Sequence, residues 1–247
     1  MGRVRAAVGE LLLVAALFLA YKAGRIVLRG DADAATAHAA SVWHLERLLR
    51  LPSEADLQQA VMSQHWLVLA ANVYYAHVHF PATAACLIWL YLRHAELYLR
   101  TRRVLTGLTA AGLVLHGGYA LAPPRLVDGT GLLDTGTLFG PAVYGPPEDD
   151  SLSNQYAAMP SLHVGWAVVV AVAVIAATRG RLRWLWLAHP VITLLVVVST
   201  GNHYWLDAIV ALGLLLVVHS AVPRTARPPA DGMAEDVAAV PAANSGR

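Results

Sequence analysis

A succession of long apolar runs, each closed by charged residues, proline or glycine, decides what this chain can fold into. Val104–Leu121, Ser161–Ala177, Trp184–Ser199 and Tyr204–Val222 each approach the roughly 20 apolar residues that a membrane-spanning helix needs. Val61–Val78 and Pro81–Tyr98 are more polar runs of the same kind, and a further one around Val8–Ala20 is interrupted by Glu10 and closed by Lys22. That first run reads as an anchor rather than a cleaved leader. With 57% hydrophobic and only 14% charged residues, against about 25% charged in an ordinary soluble domain, the expected fold is an all-α integral membrane bundle of six or seven spanning helices.

The placement of charge orients such a bundle. Arg93, Arg100, Arg102 and Arg103 fill one loop, Arg179, Arg181 and Arg183 another, and Arg224 and Arg227 open the tail. The alternating segments near Phe80, at 122–160 and at Thr200–Asn202 hold one basic residue, Arg125. The arginine-rich loops are therefore expected on the cytoplasmic side and the others opposite, in the plasma membrane. The arginines are spread over loops instead of gathered on one face, so no nucleic-acid partner is expected. The single cysteine, Cys86, sits in an apolar run and forms neither a disulfide nor a cysteine-based metal site on its own.

Along the chain, residues 1–36 form the N-terminal anchor segment, 37–222 the catalytic membrane domain and 223–247 a Pro- and Ala-rich cytoplasmic tail read as disordered. Within the domain, 37–51 places Val42, Leu45, Leu48 and Leu49 on one stripe. It reads either as an interfacial amphipathic helix or as a connector packed on the bundle. Segment 122–160, rich in Pro, Gly and Asp, is too long for a turn and reads as a cap over the outer face.

Two strings at the mouths of apolar runs carry chemistry: AMPSLH, ending at His163, and NHYWLD, from Asn202 to Asp207. With Asn202 as N-cap, His203 would occupy a first helical turn and Asp207 would lie one turn on, able to hold one imidazole nitrogen and leave the other free. The pair reads either as a prepared nucleophile or as two groups satisfying each other inside a bundle. Pro160 would open the next helix, with Ser161 donating a hydroxyl and His163 carrying a proton near neutral pH. Arg125 suits bidentate phosphate binding. His65, Asn72, Tyr75 and His79 recur at helical spacing and read either as a headgroup-binding face or as an interhelical hydrogen-bond network. His44, His77, His94, His116, His189 and His219 are given no role.

The strings APPR, PSLH and HYWLD, in this order, resemble the three signature motifs of the type 2 phosphatidic acid phosphatase superfamily, over about residues 40–222. The forms APPR and NQYAAMPSLHVGWA are similar to its inositolphosphotransferase branch, related to inositol phosphorylceramide synthase. The resemblance implies that His203 is the nucleophile forming a phosphohistidine, Asp207 its orienting partner, and His163 the general acid. It further implies that Arg125 and Ser161 hold phosphate oxygens and that no metal or other cofactor is required. Asn154, Tyr156 and Asn202, with Asn72, Tyr75 and His79, are candidate headgroup contacts. The chain departs from the superfamily's pattern: Gly118 stands where a lysine is expected, Leu126 where a proline is, and Val196 and Val197 where a serine and arginine are. Fewer cations would then surround the phosphate, which favours a phosphodiester or singly charged lipid.

The expected activity is a lipid phosphotransferase or phosphatase, acting on a lipid phosphate or phosphodiester headgroup at the non-cytoplasmic face. A simple lipid phosphate phosphatase is the alternative within the class. A proton-coupled transporter would also use intramembrane His and Asp, but near midplane and often in paired repeats, and no repeat is evident. A zinc site built from His163, His203 and Asp207 is a third reading.

Overall fold

The computed structural model describes residues 2–28, 30–146, 150 and 153–223. The tail assigned as disordered therefore lies outside the described residues, apart from its first position. Among the described residues the chain is all-helical, with ten α-helices, no strand and a lone bridge between Leu121 and Ala157.

Helix α1 spans Gly2–Val27, running seven residues past the expected apolar run. α2 (Ala32–Leu48) starts at an Asp31 cap that accepts from the Ala34 amide, and α3 (Glu54–Met62) starts at a Ser53 cap that accepts from Asp56. α4 (His65–His77) and α5 (His79–Arg93) are separated by one residue, Val78, which keeps right-handed helical torsions. α6 (Ala95–Gly118) returns antiparallel to α5. Between α6 and the next long helix lie a 3₁₀ turn at Pro124–Leu126 and the short α7 (Thr135–Phe139). α8 (Leu162–Ala177), α9 (Ala188–Ser199, with a 3₁₀ lead-in over Arg181–Leu187) and α10 (Trp205–Ala221) complete the chain.

Side-chain contacts show that these helices make six rods running between two ends of the bundle. In α1, Glu10 meets Tyr98 and Arg102 at one end while Arg25 meets Asn154 at the other. In α10, Asp207 sits at the end that holds Arg25, and His219 contacts Arg100 at the opposite one. The two expected spans Val61–Val78 and Pro81–Tyr98 fall mainly on α4 and α5, which continue as one rod, while Val61 and Met62 end α3 and residues 95–98 open α6. Asn72 reaches α7, while Cys86 and Leu90 pack with Tyr98, Ala173 and Val174 at the arginine-rich end. The physical reason is Pro81. In the first turn of α5 its missing N–H interrupts the hydrogen-bond ladder without reversing the chain, so Phe80 lies partway along a rod instead of in a loop. Two helices are long and apolar enough to cross a membrane, Ala7–Val27 and Arg181–Ser199; Leu162–Ala177 and Trp205–Ala221 are apolar but shorter.

α8 is the central rod, buried nearly all round from Leu162 to Val174, as an all-apolar helix must be. It lies close on α6 because residue 165 is glycine: a Cβ there would sit 2.8 Å from a Leu108 methyl. The expected stripe on α2 is split. Ala35, Ala39, Val42 and Glu46 face inward, the first three against Leu121, Ala122, Ala158 and Tyr204, while Leu45, Leu48 and Leu49 are exposed. The small alanines allow this approach, and the Ala122 amide donates to the Ala35 carbonyl.

Candidate active site

His203 precedes its helix. Tyr204, not Asn202, is the N-cap of α10, so the nucleophile candidate lies just outside the helix, tied by its amide to the Val197 carbonyl at the end of α9. Asp207, third in the helix, reaches back past the cap. Its Oδ2 accepts from the Tyr204 amide at 2.9 Å and from His203 Nδ1 at 3.0 Å. The carboxyl is fully buried. With Asp207 ionised, Nδ1 must carry the imidazole proton, which leaves a lone pair on Nε2. The pairing expected from helical stacking is thus made by a capping geometry.

α8 is held against this unit by its own start. The Ser161 amide donates to the Asp207 carbonyl, and the Ser161 hydroxyl caps α8 by accepting from Val164. Ser161, rather than Pro160, is the cap; Pro160 stands one residue earlier. Ser161 is fully buried and does not line the cavity described below. His163, on the first turn, presents its ring edge to His203 with centroids 5.8 Å apart and also packs on Tyr75 and His79, each at 4.9 Å.

Arg125 comes from the 3₁₀ turn after Pro123 and Pro124. Its amide donates to the Gly201 carbonyl, its Nε to Asn202 Oδ1 and its Nη2 to Gln155 Oε1, the last two at 3.0 Å. Among the described residues Nη1 makes no hydrogen bond, though Asp134 Oδ2 lies 3.7 Å away. The Tyr144 ring covers the guanidinium at 5.0 Å. Gly201 is required here: its φ is +70°, and a Cβ would lie 3.0 Å from the Arg125 Cβ.

These groups open into one cavity. His203, His163, Arg125, Tyr75, His79, Asn202 and Asn154 all line it. Pro123, Tyr144, Gln155, Ala157 and Ala158 also line it. Other sequence candidates stand elsewhere. Asn72 is spent on α7 and its end, donating to the Thr135 and Gly140 carbonyls and accepting from the Thr135 hydroxyl. Tyr156 packs in the core beneath α2, and His65 contacts Phe139. Asn154 lines the cavity with its amide committed, donating to the Leu28 carbonyl and accepting from the Tyr156 amide.

Among the lining residues that escaped sequence reasoning are Tyr21, Arg25, His116, Tyr144 and Gln155. Arg25 is an arginine within an apolar helix, four residues after Tyr21, and that was the signal available, since an ionisable group in such a helix points inward by default. Among the described residues, no three His, Cys, Asp or Glu side chains are grouped to hold a metal ion; Asp207 is turned to His203 as its hydrogen-bond partner.

No match is found among curated proteins or among solved structures. A family model described as the PAP2 superfamily matches residues 40–221, which takes in α3 to α10, Arg125 and both histidines. Most of the chain is covered, and the matched span holds the residues that meet in the cavity. The chain belongs to the PAP2 superfamily, with a phosphatase- or phosphotransferase-type function on phosphate esters.

Proposed function

We propose that the protein is a membrane-embedded enzyme that transfers or hydrolyses the phosphoryl headgroup of a lipid through a phosphohistidine on His203. The observation that carries this reading is that Asp207 fixes Nδ1 of His203 while the ring lines a cavity shared with His163 and Arg125.

The chemistry follows from those positions. Arg125, already held by Asn202 and Gln155, offers its unpaired Nη1 to a phosphoryl oxygen. Nε2 of His203 attacks phosphorus and forms a P–N bond as the P–O bond to the leaving alcohol breaks. Protonated His163 gives its proton to the departing oxygen, so the alcohol leaves neutral. Water or an acceptor alcohol then attacks the phosphohistidine, His163 takes up the proton, and the P–N bond breaks. Water makes the enzyme a phosphatase and an alcohol makes it a phosphotransferase. The inositolphosphotransferase-like reading rests on the APPR and NQYAAMPSLHVGWA forms.

Membrane embedding is supported by the exterior. Leu11, Leu12, Leu19, Leu92, Val114, Leu185, Val191, Ile209, Leu216 and Val217 are all exposed on the rods, more apolar surface than water tolerates on a monomer. The arginine-rich segments lie at the end opposite the cavity, which supports a site on the non-cytoplasmic face. Cysteine at exposed Asp128 should react with a membrane-impermeant thiol reagent in intact cells, since native Cys86 is buried. Labelling at Arg181→Cys instead would invert the orientation.

The deciding experiment follows products from labelled phosphatidylinositol and phosphatidic acid, each with and without an alcohol acceptor. Free phosphate identifies hydrolysis and a new phosphodiester identifies transfer; inactivity on every lipid phosphate sinks the proposal. His163→Ala should lose least on a nitrophenyl ester, whose leaving group needs little protonation. Equal losses on nitrophenyl and lipid substrates would remove His163 as the acid.

A further inference from the structure

We propose that Arg25, on α1 and outside the span matched by the family model, is a second phosphate-binding guanidinium of this site. Together with Arg125 it would select a terminal, doubly charged phosphate over a phosphodiester. The proposal rests on the phosphoryl-transfer reading above and names the substrate charge that the site takes.

Two adjacent residues position the two arginines. Arg25 Nη2 donates to the Asn154 carbonyl at 2.6 Å, and Arg125 Nη2 donates to the Gln155 side chain at 3.0 Å. Consecutive Cα atoms are about 3.8 Å apart, so residues 100 positions apart in sequence converge on one stretch of backbone. Both line the cavity that holds His163 and His203. Each also keeps a buried nitrogen without a hydrogen-bond partner among the described residues, Nε on Arg25 and Nη1 on Arg125. A guanidinium N–H left unpaired in a cavity is costly unless an anion visits it.

The location argues in the same direction. Arg25 belongs to an apolar helix, Ala7–Val27, otherwise suited to lipid, and turns inward, where Tyr21 Oη accepts from its Nη1 at 3.1 Å. An arginine in such a helix is expensive and marks function when it faces a cavity. The cations absent from the motifs, at Gly118 and Val197, are thereby replaced from a different element. Two fixed guanidiniums supply the charge that a phosphate monoester dianion requires, which removes the argument for a singly charged substrate.

The test compares wild-type protein, Arg25→Gln, Arg25→Lys and Arg25→Ala for orthovanadate binding. It also measures kcat/KM on nitrophenyl phosphate and on an alkyl nitrophenyl phosphodiester. One charge-assisted hydrogen bond implies a roughly 10- to 100-fold loss. Arg25→Gln should weaken vanadate binding by that factor and lower the monoester rate more than the diester rate. Arg25→Lys should keep part of both, and added guanidinium should restore Arg25→Ala. Unchanged vanadate affinity with an unchanged monoester-to-diester ratio overturns the proposal, and so does a fall in thermal stability with that ratio intact, which would make Arg25 only a strap for α1. Wild-type protein that binds vanadate through Arg25 but turns over neither ester would instead overturn the phosphoryl-transfer reading and leave the anion site standing.

Discussion

The two ends of the bundle use arginine in opposite ways. At one end Arg93, Arg103, Arg179 and Arg181 are exposed, and Arg102 pairs with Glu10 on α1. At the other, Arg25 and Arg125 are drawn into a cavity and held by a carbonyl, a phenol and amide side chains, and among the described residues the carboxylate paired with them is Asp134, 3.7 Å from Arg125. A guanidinium neutralised by a close carboxylate has little left for a ligand. One held by neutral acceptors keeps its charge, and the protein has to supply rigid partners to keep it there. The contrast teaches that the number of arginines at an end says little about anion binding, whereas their partners say a great deal.

The largest effects are expected at His203 and Asp207, the proposed nucleophile and its orienting partner. His203→Ala should abolish phosphoenzyme altogether. Asp207→Asn keeps the size of the side chain and the bond to the Tyr204 amide but loses the acceptor strength that fixes Nδ1–H, so turnover should fall roughly 10²- to 10⁴-fold. The check is single-turnover phosphoenzyme formation from a radiolabelled lipid phosphate. Phosphoenzyme that persists in His203→Ala would move the nucleophile elsewhere.

A direct comparison of the ends comes next. Arg125→Ala removes a guanidinium with neutral partners and should lower kcat/KM roughly 100-fold, at about 1.5–3 kcal/mol for each charge-assisted bond to the transition state. Arg102→Ala breaks the Glu10 contact at the far end. It should leave kcat/KM within a few-fold and cost about 1 kcal/mol or less in stability. Equal kinetic losses from both variants would erase the distinction between the ends.

What the sequence made legible follows the same division. That Arg125, His163 and His203 meet, with Asp207 behind His203, was readable because each stands in a short string of recognisable local geometry: a turn after two prolines, a capped helix start and a carboxylate four residues beyond an imidazole. Even there the boundaries shifted by one or two residues, since Tyr204 and Ser161 turned out to be the caps. The α4–α5 rod was read as two spans because His77, His79 and Pro81 interrupt an apolar run. Only packing shows that a one-residue break at Val78 does not reverse the chain. Asn72 had the right periodicity for the cavity face, but α7 took its amide. Arg25 was illegible because its role depends on α1 docking beside residues more than 100 positions away, and Lys22 made the apolar run look finished before it.

A smaller effect, at the edge of the site end, tests whether a buried acid there is structural. Glu46 on α2 and Glu54 on α3 are both fully buried. Glu54 pairs with Arg47 at 2.6 Å, while Glu46 Oε1 accepts from the Leu206 amide in the first turn of α10. One oxygen of each carboxyl lacks a partner, and a proton shared between them satisfies both. Burial, then the hydrogen bond that protonated Glu46 donates to Glu54, pushes the Glu46 carboxyl up to about 9 from 4.5. A raised folded-state value means that the folded protein holds a proton the unfolded chain gives up. The associated stability is therefore complete below about pH 4.5 and declines as pH rises, until it is lost on passing through about 9. Glu46→Gln keeps an acceptor for Leu206 and offers Glu54 a donor without titrating. Between pH 5 and 8.5 its stability should fall less steeply than that of wild type, by up to about 1.4 kcal/mol per pH unit, the limit for one proton. Thermal unfolding of both proteins in the same detergent across that range measures the difference, and parallel curves would mean that Glu46 is ionised throughout, with its link to α10 requiring no proton.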